Sequence, residues 1–225
     1  MQILETSVIG LRSARHRLES KTYKTSVTLF PMVHVGEEAF YKRVYDDAAG
    51  HDAVLLEGVR NSAAARRITR VYRWANVERL GLVVQPRPDF SGAACRPVLA
   101  DISGAEFDAE WARLPAALRT ILPVAALATG LWLRLASSRE RIARHMETTD
   151  LPDRHSIFAP HMFTRSVVTV RDQRLCQHLQ EEIERGTGSV AVIYGAGHMS
   201  GLLQFLYRYG DYRPVESDWM TVFGL

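Results

Sequence analysis

Residues 190–201, Val-Ala-Val-Ile-Tyr-Gly-Ala-Gly-His-Met-Ser-Gly, constrain the fold of this 225-residue chain more than any other stretch. An apolar, β-branched run enters Gly-Ala-Gly, a histidine follows at once, and Leu202, Leu203, Phe205 and Leu206 then recur at helical spacing. The pattern predicts a buried strand over 190–194, a tight turn over 195–197 and a helix from Gly201 onward. Glycines lacking a Cβ let the backbone approach whatever lies above the strand end. In an open α/β sheet that edge is where ligands bind, which makes His198 a candidate functional group. The spacing matches neither a dinucleotide fingerprint nor a phosphate loop, and the alternative role for His198 is a satisfied turn residue.

A second stretch has the same design. Residues 27–36, Val-Thr-Leu-Phe-Pro-Met-Val-His-Val-Gly, form an apolar strand ending at His34. A helix is predicted over 37–49, with Phe40, Tyr41 and Val44 on its inner face. Residues 52–59 make the next strand, which carries Glu57 near its end. Strand–helix–strand of this length suits the crossover of a parallel pair.

Around these units, strands are expected over 3–12 and 17–35, with a turn near 21–23. His16, set among arginines, is expected on an exposed strand or loop. Residues 61–80 read as one basic amphipathic helix with Ala63, Ile68, Val71, Tyr72 and Trp74 inward and Arg66, Arg67, Arg70 and Arg73 on a solvated face. Short strands are expected over 82–84 and 97–102, separated by a Pro- and Gly-rich loop over 85–96. Ser103 opens a helix to about residue 118 with a Ser-Gly-Ala-Glu cap. The run from Ile121 to Leu133 is the most apolar in the chain. Being shorter than the ~20 residues a bilayer span needs, and flanked by Arg119 and Arg134, it predicts no transmembrane span but a buried or partner-facing helix. A homo-oligomer interface is the first use expected of it, and peripheral membrane contact the second. His145, His155 and His161 follow, with a loop over 150–160. A long helix over 166–185 places Val167, Val170, Leu175, Leu179 and Ile183 inward, and edge strands are expected over 212–215 and 219–222. The sum is a single α/β domain over residues 1–225. It has a mixed central sheet, flanking helices and a helical insert, at about 104–165, between two strand–helix halves.

Composition narrows the functional classes. The formal charge of +3 is small and almost all its basic bias is arginine, lysine standing only at 21, 24 and 42. No basic surface is interleaved with aromatics in the way nucleic-acid binders require, so no nucleic-acid partner is expected. Two cysteines, Cys95 and Cys176, argue against a disulfide scaffold or a cysteine-rich zinc site. Residues 1–5 lack the charged and apolar regions of a signal peptide, so a reduced cytoplasmic setting is the expectation.

His34, Glu57 and His198 thus converge on strand ends, and Arg171 opens the helix feeding the last strand. Two imidazoles and a carboxylate suit a divalent metal with open positions, which would acidify a bound water. They equally suit a metal-free scheme, with His34 as general base oriented by Glu57 and Arg171 holding an anion or a developing oxyanion. Residue types and spacing leave both open, and a purely structural ion pair of Glu57 with Arg60 or Arg171 is the third possibility. Arg60 and the backbone at Gly195 and Gly197 are the expected substrate-binding elements.

The set Pro-Met-Val-His34-Val-Gly, Leu-Leu-Glu57-Gly-Val-Arg60, Val-Arg171-Asp172 and Gly195-Ala-Gly-His198-Met-Ser-Gly201 resembles the TraB/PrgY/GumN family. That family is grouped with Tiki, the erythromycin esterases and the haem-binding ChaN proteins. The segment Val98-Leu-Ala-Asp101-Ile-Ser103 is similar to an Ala-Asp-hydrophobic-Ser stretch found mid-domain in many members. The resemblance runs through nearly the whole chain in order, the helical insert being least constrained. It implies a hydrolase of the Tiki type, cleaving a peptide-like substrate with Mn, Co or Zn held by His34, Glu57 and His198. It also implies two alternatives: a metal-independent His-based esterase, and a module that sequesters a peptide or other signal without cleaving it. The first motif departs from the family pattern, with Pro31 where glycine is usual. Proline fixes φ and removes a backbone donor, so a first turn of different shape is expected.

Overall fold

The architecture follows from four strands that run in one direction, three of them short apolar runs. In the computed structural model, which describes residues 1–74, 76–135, 138–150 and 167–225, these strands are β3 (Ser26–Met32), β5 (Ala53–Leu56), β7 (Arg96–Leu99) and β8 (Ser189–Gly195). They lie side by side as β3-β8-β5-β7, every neighbouring pair parallel. Val190, Ala191, Val192 and Tyr194 are wholly buried, as expected of a central parallel strand covered on both faces. A long antiparallel strand, β2 (Gly10–Glu19), continues the sheet beyond β3 and also pairs with β1 (Leu4–Ser7) and β9 (Arg213–Gly224). The result is a seven-stranded mixed sheet among the described residues. A separate small ribbon joins β4 (Val35–Gly36) to β6 (Val83–Val84).

Helix α1 (Glu38–Ala49) buries Phe40, Tyr41 and Val44 as its periodicity requires. Helix α6 (Thr169–Arg185) buries Leu175, Leu179 and Ile183, and α7 (Met199–Gly210) buries Leu202 and Leu206. A second, smaller core gathers Ala64, Ile102, Phe107, Trp111, Leu114 and Val167. It is built by α2 (Ala63–Trp74), α3 (Gly104–Arg113) with its flanking residues Ile102 and Leu114, and Val167 ahead of α6. The capping box at Ser103 and Glu106 forms as the sequence predicts. Helix α4 (Ala116–Leu135) packs on α2, and α5 (Arg139–Asp150) lies against β1 and β2. Among the described residues the stretch from Gly104 to Asp150 is mainly helical, and α5 belongs to the main core through Ile142, Ala143 and Met146.

Several boundaries differ from the sequence reading. The first strand breaks into a hairpin at Val8 and Ile9, followed by β2 rather than one run to Arg12. His16 is buried, not exposed. Its ring nitrogens meet Ser217 Oγ and the Gln2 carbonyl at 2.8 Å each, because strand alternation sends it to the face opposite Arg15 and Arg17. The basic helix stops at Trp74, and a short 3-10 turn, Val77–Leu80, follows Asn76 in the left-handed region. Ala64 rather than Ala63 is buried there. Helix α4 extends well before the apolar run, and its 20 residues are long and apolar enough to cross a membrane by length and composition alone. The two C-terminal edge strands are a single strand, β9, and Asp150 ends α5 instead of opening a loop. The side chains of Arg70, Val71, Tyr72, Arg73, Trp74 and His145, together with His155, His161 and the loop expected after residue 150, lie outside the described residues.

Pro31 leaves β3 regular. The β2 ladder on that side covers Val27 to Leu29 only, so the missing N–H falls past its end, while pairing with β8 continues to Met32. Ser13 Oγ donates to the Pro31 carbonyl at 2.7 Å.

Candidate active site

Parallel register brings the carboxyl ends of the four strands to one edge, and with them the groups singled out by sequence. Met32 pairs with Gly195 and Leu56 with Ile193, so His34, Glu57 and His198 all follow directly on strands that are in contact. Asp101 follows β7 in the same way. Because β8 lies between β3 and β5, His198 occupies the middle of the edge, with His34 to one side and Glu57 and Asp101 to the other.

The centre of this edge is a buried charge network. Arg171, on the first turns of α6, donates from Nη2 to Glu57 Oε1 at 2.5 Å and to Asp101 Oδ2 at 2.7 Å, and from Nε to Asp101 Oδ1 at 3.0 Å. The Asp101 side chain has no exposure at all. Its two oxygens also accept from the backbone N–H groups of Gly58 (3.0 Å) and Ile102 (2.8 Å). The first of these depends on Gly58 at φ 152°, a conformation that side-chain-bearing residues avoid. Glu57 Oε2 accepts the Gly195 N–H at 2.6 Å, and a Cβ on Gly195 would sit 3.1 Å from that oxygen. Glycine at 195 thus serves the carboxylate's close approach, and its N–H is committed to Glu57 rather than offered to a ligand. The guanidinium of Arg171 also lies 5.7 Å from the centre of the Tyr194 ring.

Burial pushes the Glu57 carboxyl up, but the charge of Arg171, then those of His198 and His34, more than cancel this and hold it down at about 2. The same network raises Arg171 well above its ordinary value, since Glu57 and Asp101 outweigh the burial that opposes its charge. Burial, with Glu57 and Asp101 adding to it, raises the Tyr194 hydroxyl and keeps it protonated. A depressed carboxyl contributes stability that is complete above its unfolded value and is lost as pH falls through its folded value. For Glu57 the gap between 4.5 and about 2 corresponds to ~3 kcal/mol. Denaturant unfolding measured from pH 6 down to pH 2 should show the native chain losing about that much more stability than Glu57→Gln. Parallel losses in the two proteins would show that Glu57 is not held down in the fold.

His198 stands beside this network with its own partner. Its Nδ1 meets Asp172 Oδ1 at 2.5 Å, and its ring packs edge-on against Tyr194 at 5.0 Å between centroids. Asp172 is able to reach it because Gly201 carries no side chain, a Cβ there lying 3.3 Å from Asp172 Oδ2. The imidazole is mostly covered, its side chain 11 % exposed. Asp172 fixes Nδ1, so Nε2 is the nitrogen left to take part in chemistry. His34 is part-buried at the bend after β3, and its carbonyl accepts the Gln85 N–H at 2.9 Å.

The strand ends marked by sequence therefore do meet at one edge, and of the uses expected of Glu57 the ion pair is the one formed. Glu57 forms the ion pair with Arg171 and not with Arg60, which is exposed. Gly197 lies in the 3-10 turn Ala196–His198. Sequence reasoning misses Asp101 and Asp172 as site residues, although both stand inside the motifs quoted above. The signal that finds them is the pairing of one arginine and one histidine with carboxylates of their own.

The donor set does not fit a resident metal as it is placed. Among the described residues no group of three or more His, Cys, Asp or Glu side chains is arranged to hold an ion, and both Glu57 oxygens already have partners. Cys95 and Cys176 are free. Compared with known proteins, the chain matches no family model, no curated protein and no solved structure.

Proposed function

We propose that the chain is a hydrolase of neutral ester or peptide-like substrates, with His198 as general base and Asp172 as the residue that orients it. The observation that carries this reading is the 2.5 Å contact of His198 Nδ1 with Asp172 at the centre of the strand-end edge. In this scheme His198 Nε2 takes a proton from water as the water oxygen attacks the substrate carbonyl, and later returns that proton to the leaving group. His34, the second imidazole at the edge, is the candidate to assist the leaving group. Arg171 supplies a fixed positive charge, but Glu57 and Asp101 already neutralise it. With Asp172 they leave negative charge in excess, which disfavours an anionic substrate. The resemblance to the TraB/PrgY/GumN family, with its Tiki and esterase relatives, supports the same reaction class.

The test is hydrolysis of p-nitrophenyl esters and a fluorogenic peptide panel by the full chain, with chelator and with added Mn, Co or Zn. His198→Ala should lower turnover by at least ~100-fold while leaving the thermal transition in place. Turnover retained in that variant would overturn the proposal. Turnover appearing only with added metal would overturn the metal-free scheme and restore His34, Glu57 and His198 as a ligand set. A peptide bound at one equivalent and recovered intact would favour the sequestering module instead.

A further inference from the structure

The insert carries a surface the hydrolase reading does not use. Along α4, Ile121, Val124, Leu127, Leu131 and Leu135 recur at spacings of three and four and form one stripe, between 49 % and 69 % exposed. Trp132 borders the stripe and is 42 % exposed. Gly130 and Leu133 are the helix's buried residues and face the other way. The neighbouring helix α2, against which α4 packs, carries Arg66 and Arg67, both exposed, and α4 itself adds Arg119 and Arg134. Neither helix contains an Asp or Glu, in a chain whose acids and bases otherwise nearly balance.

We propose that α2 and α4 together dock the protein on an anionic lipid bilayer. The α4 stripe lies in the plane of the interface, in the boundary between headgroups and acyl chains, and the arginines meet the anionic headgroups. An exposed apolar stripe on a helix pair whose own charges are all cationic, with Asp108 of α3 near Arg66 at the start of α2, is the combination that interfacial helices use, apolar burial and headgroup attraction acting together. A second copy of the chain is the less suitable occupant, because two such faces would bring arginines against arginines without a carboxylate from either helix.

Flotation with vesicles of phosphatidylcholine alone and of phosphatidylcholine with phosphatidylglycerol tests this on the full chain. Binding is expected to the phosphatidylglycerol vesicles, to weaken with salt, and to fall by about tenfold or more in Arg66→Glu/Arg67→Glu. Leu127→Glu should lower it independently by burying a charge in the apolar boundary. All three positions are exposed, so the thermal transition should not move, and the arginine variant still decides the matter if Leu127→Glu fails to fold. No flotation with either vesicle, or equal flotation with both, overturns the proposal. So does a light-scattering mass of two chains that returns to one in Leu127→Glu without vesicle binding, since a second copy would then cover the face.

Discussion

Arg171→Ala should cost about 3–5 kcal/mol of unfolding free energy, among the larger losses available to a single substitution in this fold. Removing the guanidinium leaves two carboxylates facing each other. Asp101 is completely buried, Glu57 is three-quarters covered, and both are now without their cation. Breaking a buried pair is costlier than the pair is stabilising, because the surviving charges remain desolvated. Arg171→Lys keeps the charge but loses the fork that meets Glu57 and Asp101 together, so it should recover only part of the loss. Acid should narrow the difference between Arg171→Ala and the native chain. The bereft Glu57 carboxyl takes up a proton in the variant at a pH where Arg171 keeps it ionised in the native chain. Combining Arg171→Ala with Glu57→Gln should cost less than the sum of the two, since one member of each pairing is already gone. Urea unfolding of the five proteins at pH 7 and pH 5 measures all of this. A loss below about 1 kcal/mol for Arg171→Ala would mean that water, not the fold, stabilises these charges.

This network also marks the limit of what the residues announce by themselves. The strands that end in His34, Glu57 and His198 are legible because each is a short continuous apolar run, the mark of a strand covered on both faces. Their order is not, because placing β8 between β3 and β5 is a pairing between segments more than a hundred residues apart. Asp101 follows Arg-Pro-Val-Leu, a weak strand signal exposed for half its length, and the Ala-Asp-hydrophobic-Ser stretch that contains it gives the carboxylate no partner. Its role appears only when Arg171 arrives from the other half of the chain. In sequence β9 reads as two strands because Glu216, Ser217 and Asp218 interrupt the apolar pattern. In the fold all three are exposed, Glu216 and Asp218 on the face where Arg15 pairs with them and Ser217 on the other face beside His16, while the ladder to β2 holds the strand together. Helix α4 reads too short because hydropathy marks only its apolar centre. Helical hydrogen bonding extends through Ala116, Ala117 and Arg119, which add little hydropathy but favour the helix.

Asp172→Asn should leave the fold intact and reduce turnover by roughly 10³- to 10⁴-fold, the loss seen when the orienting carboxylate of a histidine base is made neutral. The carboxylate can only accept, so it selects the tautomer with a proton on Nδ1 and a lone pair on Nε2. An asparagine amide can instead donate to Nδ1. The proton then moves to Nε2, and the nitrogen facing the substrate is no longer a base. Substrate binding needs no change for this to happen, so kcat should fall with KM almost unaffected. Asp172 is therefore a positioning residue, acting only through His198, and two comparisons separate that role from a merely structural one. Asp172→Glu can still accept from Nδ1 and should recover part of the activity that Asp172→Asn lacks. It will not recover all of it, because the longer side chain has to fit beside Gly201, where the present carboxylate comes so close that a Cβ would lie only 3.3 Å from it. In a His198→Ala background, Asp172→Asn should add almost nothing, since a residue that works through the imidazole has no route once the imidazole is gone. Independent, multiplicative losses from the two substitutions would assign Asp172 a direct contact with substrate and remove it from the dyad.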